Sequence, residues 1–466
     1  MIDDEELEQR TYRLLNDAAH VYRAVPPAAA LLRSTLDGLA GPLRIAVAGP
    51  PGSGKSTLVN ALIGEELAPV GLPGEVVYRD GTEPRAWWQD TEIPLIRTAT
   101  GLRLTPDARH TAGTGERAVI AWPSRVLRRT ELIDARLPAA DADAILYVTP
   151  QLGEPELRTL RAARGRLAPP VHIMVVLSRA DATGGGRIDA LLTARQLARR
   201  RRREPRTAMV CQDLSAVSPL IAAAARTLGD DEFAAIAALA ALPKDEAEPH
   251  LLSTDRFTAA DALRPVDAQR RVRLLQRFGL GGIRLALTLV RTGSDTPAAL
   301  AERLQEHSGL KELQAAIASL FTARRPVLRA RSALTTLDRL LRTHRNPAAG
   351  NLLGQLELLV ADAHELRELR LLSALRSGRV TLPREDAADA GRLLGGAGTS
   401  VGERLGMSPD ATAAQTWAAA RAAGERWRAL AHGRTLTPAA RRAAETVLAS
   451  CDLIVNRLDR LAAPIP

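Results

Sequence analysis

Apolar and polar positions change rhythm near residue 220. Before it, short apolar runs alternate with amphipathic stretches; after it, apolar positions recur at helical spacing almost to the end. The short runs predict buried strands at Leu43–Ala48, Thr130–Asp134, Ala144–Thr149 and 171–177. Between them, helical spacing predicts helices at 58–63, closed by Gly64, at 154–164, and from Ile188 into the arginine run 199–203. Strands alternating with helices predict an α/β domain: a mostly parallel sheet with helices on both faces and ligand groups at the carboxyl ends of the strands.

The flanks read differently. Leu7, Leu14, Ala18, Val21 and Val25 make one helical stripe, Pro26-Pro27 breaks it, and a short helix at 28–39 leads to Gly41-Pro42. A helix ahead of the first strand has no place in the sheet and must pack elsewhere, against helices from the far end of the chain. Residues 222–242 read as one alanine-rich helix, and 243–249, with two prolines, as a hinge. Val327, Ala330, Leu334, Leu337 and Leu341 recur at three- and four-residue steps, as do Leu352, Leu356, Leu359, Ala363 and Leu366. These are bundle or coiled-coil seams, turned at 346–350. Residues 378–383 and 391–409 interrupt the pattern, and helices resume at 411–431 and 438–461. The expected division is N-terminal helices 1–40, an α/β domain 41–242, and a long α-helical bundle 243–466.

Composition sharpens this picture. Alanine, leucine and arginine dominate and aromatics make up only 3%, which favours helix over strand. The net charge of +10 suits an anionic partner. No aromatic residues interleave with the arginine run, so single-stranded nucleic acid has no stacking platform there, and no nucleic-acid partner is expected. Cys211 and Cys451 lie far apart without metal-ligand spacing, as in a reducing compartment. The acidic start is not a signal peptide, and no apolar stretch reaches transmembrane length. A cytoplasmic protein with at most peripheral membrane contact is expected.

The chemistry concentrates after the first strand, in Gly49-Pro50-Pro51-Gly52-Ser53-Gly54-Lys55-Ser56-Thr57. This is a P-loop between strand and helix: glycines let backbone N–H groups wrap phosphate oxygens, and the helix N-terminus adds partial positive charge. Lys55 would reach the β- and γ-phosphates and Ser56 would bind Mg²⁺. The chain's other lysines are only Lys244 and Lys311, so the composition does not by itself account for a compact ammonium at this position. Asp134, ending its strand, stands where such a site needs an acid to assist the metal. Ser178, Arg179, Ala180 and Asp181 fit the [NTS]-[KR]-x-D pattern for guanine: the Asp181 carboxylate takes the base N1–H and exocyclic amine, and the Arg179 stem packs over the ring.

With these motifs and the helical second half, the chain resembles bacterial dynamin-like GTPases, most closely the actinobacterial isoniazid-inducible type. The similar stretches are 59–69, 77–81, 177–181, 252–257, 274–280 and 364–369. The resemblance implies a G domain, a hinged helical neck that includes the N-terminal helix, and a trunk touching membrane at its tip, for which 393–399 is a candidate beside the alternative of a plain interhelical turn. It also implies GTP and Mg²⁺ as ligands. Three motifs depart from the family. The P-loop position after Gly49, often polar in the family, is Pro50. The first-switch stretch 70–76 holds no threonine, and the nearest, Thr82, lies beyond the 78–81 landmark; the second switch, D-x-x-G in the family, reads Asp134-Ala135-Arg136-Leu137. The parts that hold nucleotide are kept while those that sense and cleave the γ-phosphate are altered.

Three functions fit: a GTP-binding membrane-remodelling protein with weak or partner-dependent hydrolysis, a catalytically degenerate regulatory subunit of a heteromeric dynamin-like pair, or a P-loop ATP-binding protein. The first two imply another dynamin-like chain, and the first implies an anionic membrane at the inner face of the cell.

Overall fold

The computed structural model describes residues 2–68, 74–88, 91–98, 101–104, 117–137, 141–163, 170–185, 189–259, 263–376, 378–433 and 436–462. Its centre is a sheet built from β1 (Leu43–Ala48), β2 (Glu75–Asp80), β3 (Arg85–Trp88), β4 (Thr91–Ile93), β7 (Arg117–Trp122), β8 (Thr130–Asp134), β9 (Ala144–Thr149), β10 (Ile173–Leu177) and β11 (Asp213–Ala216); β5 (Leu95–Thr98) and β6 (Gly101–Leu104) form a separate hairpin. The order is β11-β10-β9-β1-β8-β2-β7-β3-β4. The first five of these run parallel, and β2 turns antiparallel to β8. Every residue of β9 and β10 is buried, as a central parallel strand requires.

The sheet has a core on each face. One gathers Leu43, Ile45, Val47, Leu58, Leu62 and Leu132 with Leu310, Leu313 and Phe321; the other gathers Ala46, Ile133, Tyr147, Leu157, Leu191 and Leu214. A third core joins Ile221, Ile236 and Leu239 to Phe257, Phe278, Leu287 and Leu304, so helices on both sides of residue 242 share their packing.

The N-terminal helices, Ile2–Val21 and Pro26–Ala40, pack against the helix Arg325–Thr343. Leu7, Leu14, Leu15, Ala18 and Tyr22 enter one core with every seam residue from Val327 to Leu366 that the spacing marks. The Tyr22 hydroxyl donates to the His344 carbonyl at 2.5 Å, and Arg329 Nε donates at 3.1 Å to the Gly38 carbonyl near the end of the second helix. A final core, around Leu372, Leu393, Trp427 and Val447, belongs to the distal helices, including the hairpin Ala413–His432 and Pro438–Ala462. Among the described residues no helix is long and apolar enough to cross a membrane.

Several expectations change. Residues 222–242 form two helices, Pro219–Arg226 and Asp230–Ala240; Gly229 starts the second, its N–H donating to the Glu232 carboxylate at 3.3 Å. The hinge at 243–249 is taken up by the helical turns Lys244–Ala247 and Glu248–Leu252. The interruption 391–409 contains the end of Arg384–Leu393 and a short helix, Val401–Leu405, begun by a Ser400–Glu403 capping box. At 393–399 the reading as a plain interhelical turn holds over that as a tip: Leu393 and Leu394 are fully buried, and Arg324 Nη2 donates to the carbonyls of Leu394 and Gly395 at 3.0 and 2.8 Å. It is an interhelical turn held against the root of the bundle.

The distal helices are pinned by a buried acid. Glu368 is bonded by Arg404, and His364 Nε2 lies 3.4 Å from Glu368 and 2.9 Å from the Ser450 hydroxyl. Burial alone pushes the Glu368 carboxyl up, but Arg404, His364 and Ser450 outweigh it and hold it at about 2, against 4.5 when unfolded. A depressed acid stabilises the fold above its unfolded value, and that stability is lost as pH falls through the folded value. We expect this group to cost wild type about 3 kcal/mol between those two limits. Urea denaturation across that range checks it, with Glu368→Gln showing a correspondingly shallower acid loss.

Candidate nucleotide site

The site begins where β1 ends. Gly49, at φ 144°, passes so close to β9 that a Cβ there would lie 2.0 Å from the Val148 carbonyl oxygen. Gly54, at φ 91°, is the cap from which the helix Lys55–Ile63 starts. The loop between them is drawn inward: Ser53 N–H donates to the Pro50 carbonyl at 3.3 Å, and Lys55 Nζ donates to the same carbonyl at 3.0 Å. Burial lowers the Lys55 pKa, Asp134 opposes that, and Arg136 adds to it.

The β1–β8 register sets Val47 beside Asp134. The Ser56 hydroxyl therefore meets the Asp134 carboxylate, donating at 2.5 Å. Burial raises the Asp134 pKa, while the Ser56 bond and the Lys55 charge pull it back. Beyond Asp134 the chain stays tied to the loop's root: Ala135 N–H donates to the Val47 carbonyl at 3.1 Å and Gly49 N–H to the Arg136 carbonyl at 3.4 Å. Leu137, where the second switch would have glycine, is 67% exposed.

Of the first-switch stretch, 70–73 lie outside the described residues; Gly74 precedes β2 and Glu75 and Val76 begin it. Thr82 is excluded as a metal ligand by register. Because β2 runs antiparallel to β8, Val76 lies beside Asp134 and Tyr78 beside Leu132, so residues past Asp80 sit at the opposite edge of the sheet.

Past β10 the base loop turns back onto the P-loop. Ser178 N–H donates to the Thr149 carbonyl at 2.9 Å, and Arg179 takes a left-handed φ of 56°, costly for a side-chain-bearing residue. Its guanidinium donates at 3.1 Å to the Gly52 carbonyl, joining the base loop to the phosphate loop. Asp181 accepts the Ser218 hydroxyl at 2.5 Å. The structure thus gathers Lys55, Ser56, Asp134, Arg179 and Asp181 along one edge of the sheet. Ser218 was not singled out from the sequence; its signal was its place just after β11, a strand too short and polar to register.

These residues fit a nucleotide with Mg²⁺. Among the described residues the Ser53 and Ser178 hydroxyls are buried without a hydrogen-bond partner, one in each loop, and Ser56 and Asp134 pair an alcohol with a carboxylate, a hard oxygen set. Within the arginine run, Arg202 bonds Asp213 at 2.9 Å and Arg201 bonds Glu204 at 3.1 Å, while Arg199, Arg200 and Arg203 are exposed.

Comparison with known proteins decides the family. The chain is 36% identical over 454 residues to the isoniazid-induced protein IniC of Mycobacterium tuberculosis, covering 90% of each. The chain belongs to the IniC family of bacterial dynamin-like proteins. Shorter stretches of this IniC relative match other GTPases: 47% identity over 62 residues (13% of this chain, 12% of the other) to GTPase Der of Cereibacter sphaeroides, and 34% over 161 (33% and 32%) to the tRNA modification GTPase MnmE of Acidiphilium cryptum. Among solved structures, a chain of an oligomerised bacterial dynamin pair, described as a mechanism for long-range sensing and tethering of membranes, aligns over 99% of this chain and 75% of its own at 12% identity and a TM-score of 0.33, a likeness that decides nothing further. No protein-family profile matches the chain.

Gly49→Ala should place a methyl against the Val148 carbonyl and a side chain at a disfavoured φ. We expect a loss of about 3 kcal/mol or more in urea denaturation. Gly350→Ala, whose added carbon meets nothing within 4 Å, serves as the near-neutral control.

Proposed function

We propose that this IniC-family protein binds GTP with Mg²⁺ at the P-loop, hydrolyses it weakly or only with a partner chain, and remodels an anionic membrane surface as part of a dynamin-like assembly. The observation that carries the nucleotide reading is the Ser56–Asp134 bond at the mouth of a loop whose glycines leave the backbone bare. Lys55 would hold the β- and γ-phosphates; the backbone of residues 49–57 would wrap them; Asp181, with Arg179 and Ser178, would read the guanine. Ser56 and Asp134 would hold Mg²⁺, which when bound neutralises phosphate charge. Arg179, bonded to Gly52, keeps base and phosphate loops in one frame.

The altered switches support weak turnover. Phosphoryl transfer rests on positioned charge and water, and groups that sense the γ-phosphate supply both. Leu137 offers a side chain at the family's glycine position, and Thr82 sits at the wrong edge of the sheet. The same two observations favour a second reading, a regulatory subunit whose intact dynamin-like partner hydrolyses GTP. The ATP reading is weakened by the Asp181 loop behind the P-loop. Membrane contact, peripheral at the inner face of the cell membrane, rests on the net charge of +10 and the family. We carry the domain division forward with one change: the shared core across residue 242 favours ending the G-domain unit near Phe321.

Fluorescent GTP titrated with Mg²⁺ tests the first part. Binding is expected to be displaced by GTP and not by ATP, to weaken by about 100-fold in Lys55→Ala, and to come with little phosphate release. Equal competition by ATP contradicts the guanine reading, and steady release by the isolated chain contradicts the degenerate switches. Vesicle sedimentation tests the second part: the chain should pellet with anionic and not with zwitterionic vesicles, the difference shrinking as salt rises.

A further inference from the structure

The helix Ala268–Arg291 is not continuous. Gly279 stands inside it at φ 66° and ψ 166°, a conformation that side-chain-bearing residues essentially do not adopt. Two residues on, Gly281 lies so close to the base loop that a Cβ would sit 2.9 Å from the Asp181 carbonyl oxygen and 3.3 Å from both its Cβ and Oδ2. At Gly279 itself an added carbon would lie 3.9 Å from Asp181 Oδ2 and 3.4 Å from Leu220. The far side of Asp181 is therefore walled by backbone stripped of side chains, with Ser218 holding the other carboxylate oxygen. A cavity of about 20 Å³ lies next to Asp181, Gly281, Leu285 and His307.

The segment before the break grips a different part of the site. Arg277 bonds Glu66, pairs with Glu232, and donates to the Thr227 hydroxyl at 2.8 Å and the Thr227 carbonyl at 3.1 Å. Glu66 is part of the P-loop helix unit, because the next two N–H groups, of Leu67 and Ala68, donate to the Asn60 side chain at 2.9 and 2.8 Å. One helix thus holds the phosphate-binding helix through Arg277 and the base loop through Gly281, with a left-handed break between the two grips.

We propose that the bare backbone at Gly279 and Gly281 is the back wall of the base site and sets its preference for guanine, with Arg277 fastening that wall to the phosphate-holding helix. It rests on the reading of Asp181 as the guanine-binding carboxylate. None of the three residues is placed on the nucleotide; they are positioning residues. A methyl on Gly281 meets backbone, which cannot rotate away, so the Asp181 loop must shift. The acceptor geometry that Asp181 offers the base is then lost while the phosphate loop stays intact.

The test measures displacement of fluorescent GTP by GTP and by inorganic pyrophosphate, which reads the phosphate half alone. Gly281→Ala is expected to weaken GTP by about tenfold or more and to leave pyrophosphate within about twofold, since a site built on fixed polar groups is sensitive to their placement. Arg277→Gln should weaken GTP in the same selective way, and Arg277→Lys, which keeps the charge but not the fork, should recover part of it. Gly354→Ala, an open helical position, is the control. Unchanged GTP affinity in Gly281→Ala and Arg277→Gln overturns the proposal, as does a parallel loss of GTP and pyrophosphate. If Gly281→Ala fails to fold, the two Arg277 variants decide. Wild type that binds no GTP, or Asp181→Ala that binds it as well as wild type, sinks the underlying base reading instead, and with it the wall.

Discussion

The parallel pairing of β1 with β8 places Val47 beside Asp134 and so sets a carboxylate next to the first turn of the P-loop helix. The Ser56–Asp134 bond, the Ala135 and Gly49 backbone bonds, and the electrostatic balance at Lys55 all depend on that alignment. A slip of one residue would turn Asp134 to the other face of the sheet. The neighbouring antiparallel pairing is as decisive in the opposite sense: with Val76 beside Asp134, β2 carries Thr82 away from the site. The same sheet that brings Asp134 to the P-loop helix withholds a threonine from it.

The helical parts are fastened to this edge by packing more than by isolated polar contacts. One core runs from Leu7 through the Val327–Leu366 seams, so the start of the chain and its middle fold as one unit. Another joins the helices after β11 to the broken helix at Gly279, which touches the base loop. Polar anchors then fix orientation: Arg324 on the Leu394–Gly395 turn, and Arg404 on Glu368. Buried charges of this kind are costly to leave unpaired, so breaking either anchor destabilises the bundle.

The central strands were legible because parallel strands buried on both faces read as unbroken apolar runs; β1, β9 and β10 are of this kind. The strands β2, β3 and β7 were not, because arginine and tryptophan interrupt their apolar residues. Arg79 and Arg85, for example, lie over the Trp87 ring at 4.7 and 5.6 Å. β11 is four residues long and half polar, and with it went the signal for Ser218. The bundle seams were read from spacing alone, but an alanine-rich stretch hid the break at Gly229, and the glycines at 395–398 left a tip and a turn both open where the structure has a turn packed on Arg324. The P-loop and Asp181 were legible because their chemistry is local in sequence; what surrounds Asp181 comes from Ser218 and Gly281, both far along the chain.

We propose that this chain holds guanine nucleotide but does not register its γ-phosphate unaided. Hydrogen–deuterium exchange with GTP or GDP, each with Mg²⁺, tests it most directly. The account predicts that both nucleotides protect residues 49–57 and 178–181 alike, with the same exchange at 134–137 in either state. Protection of 134–137 by GTP and not by GDP would contradict it, since the second switch would then be sensing the γ-phosphate despite Leu137.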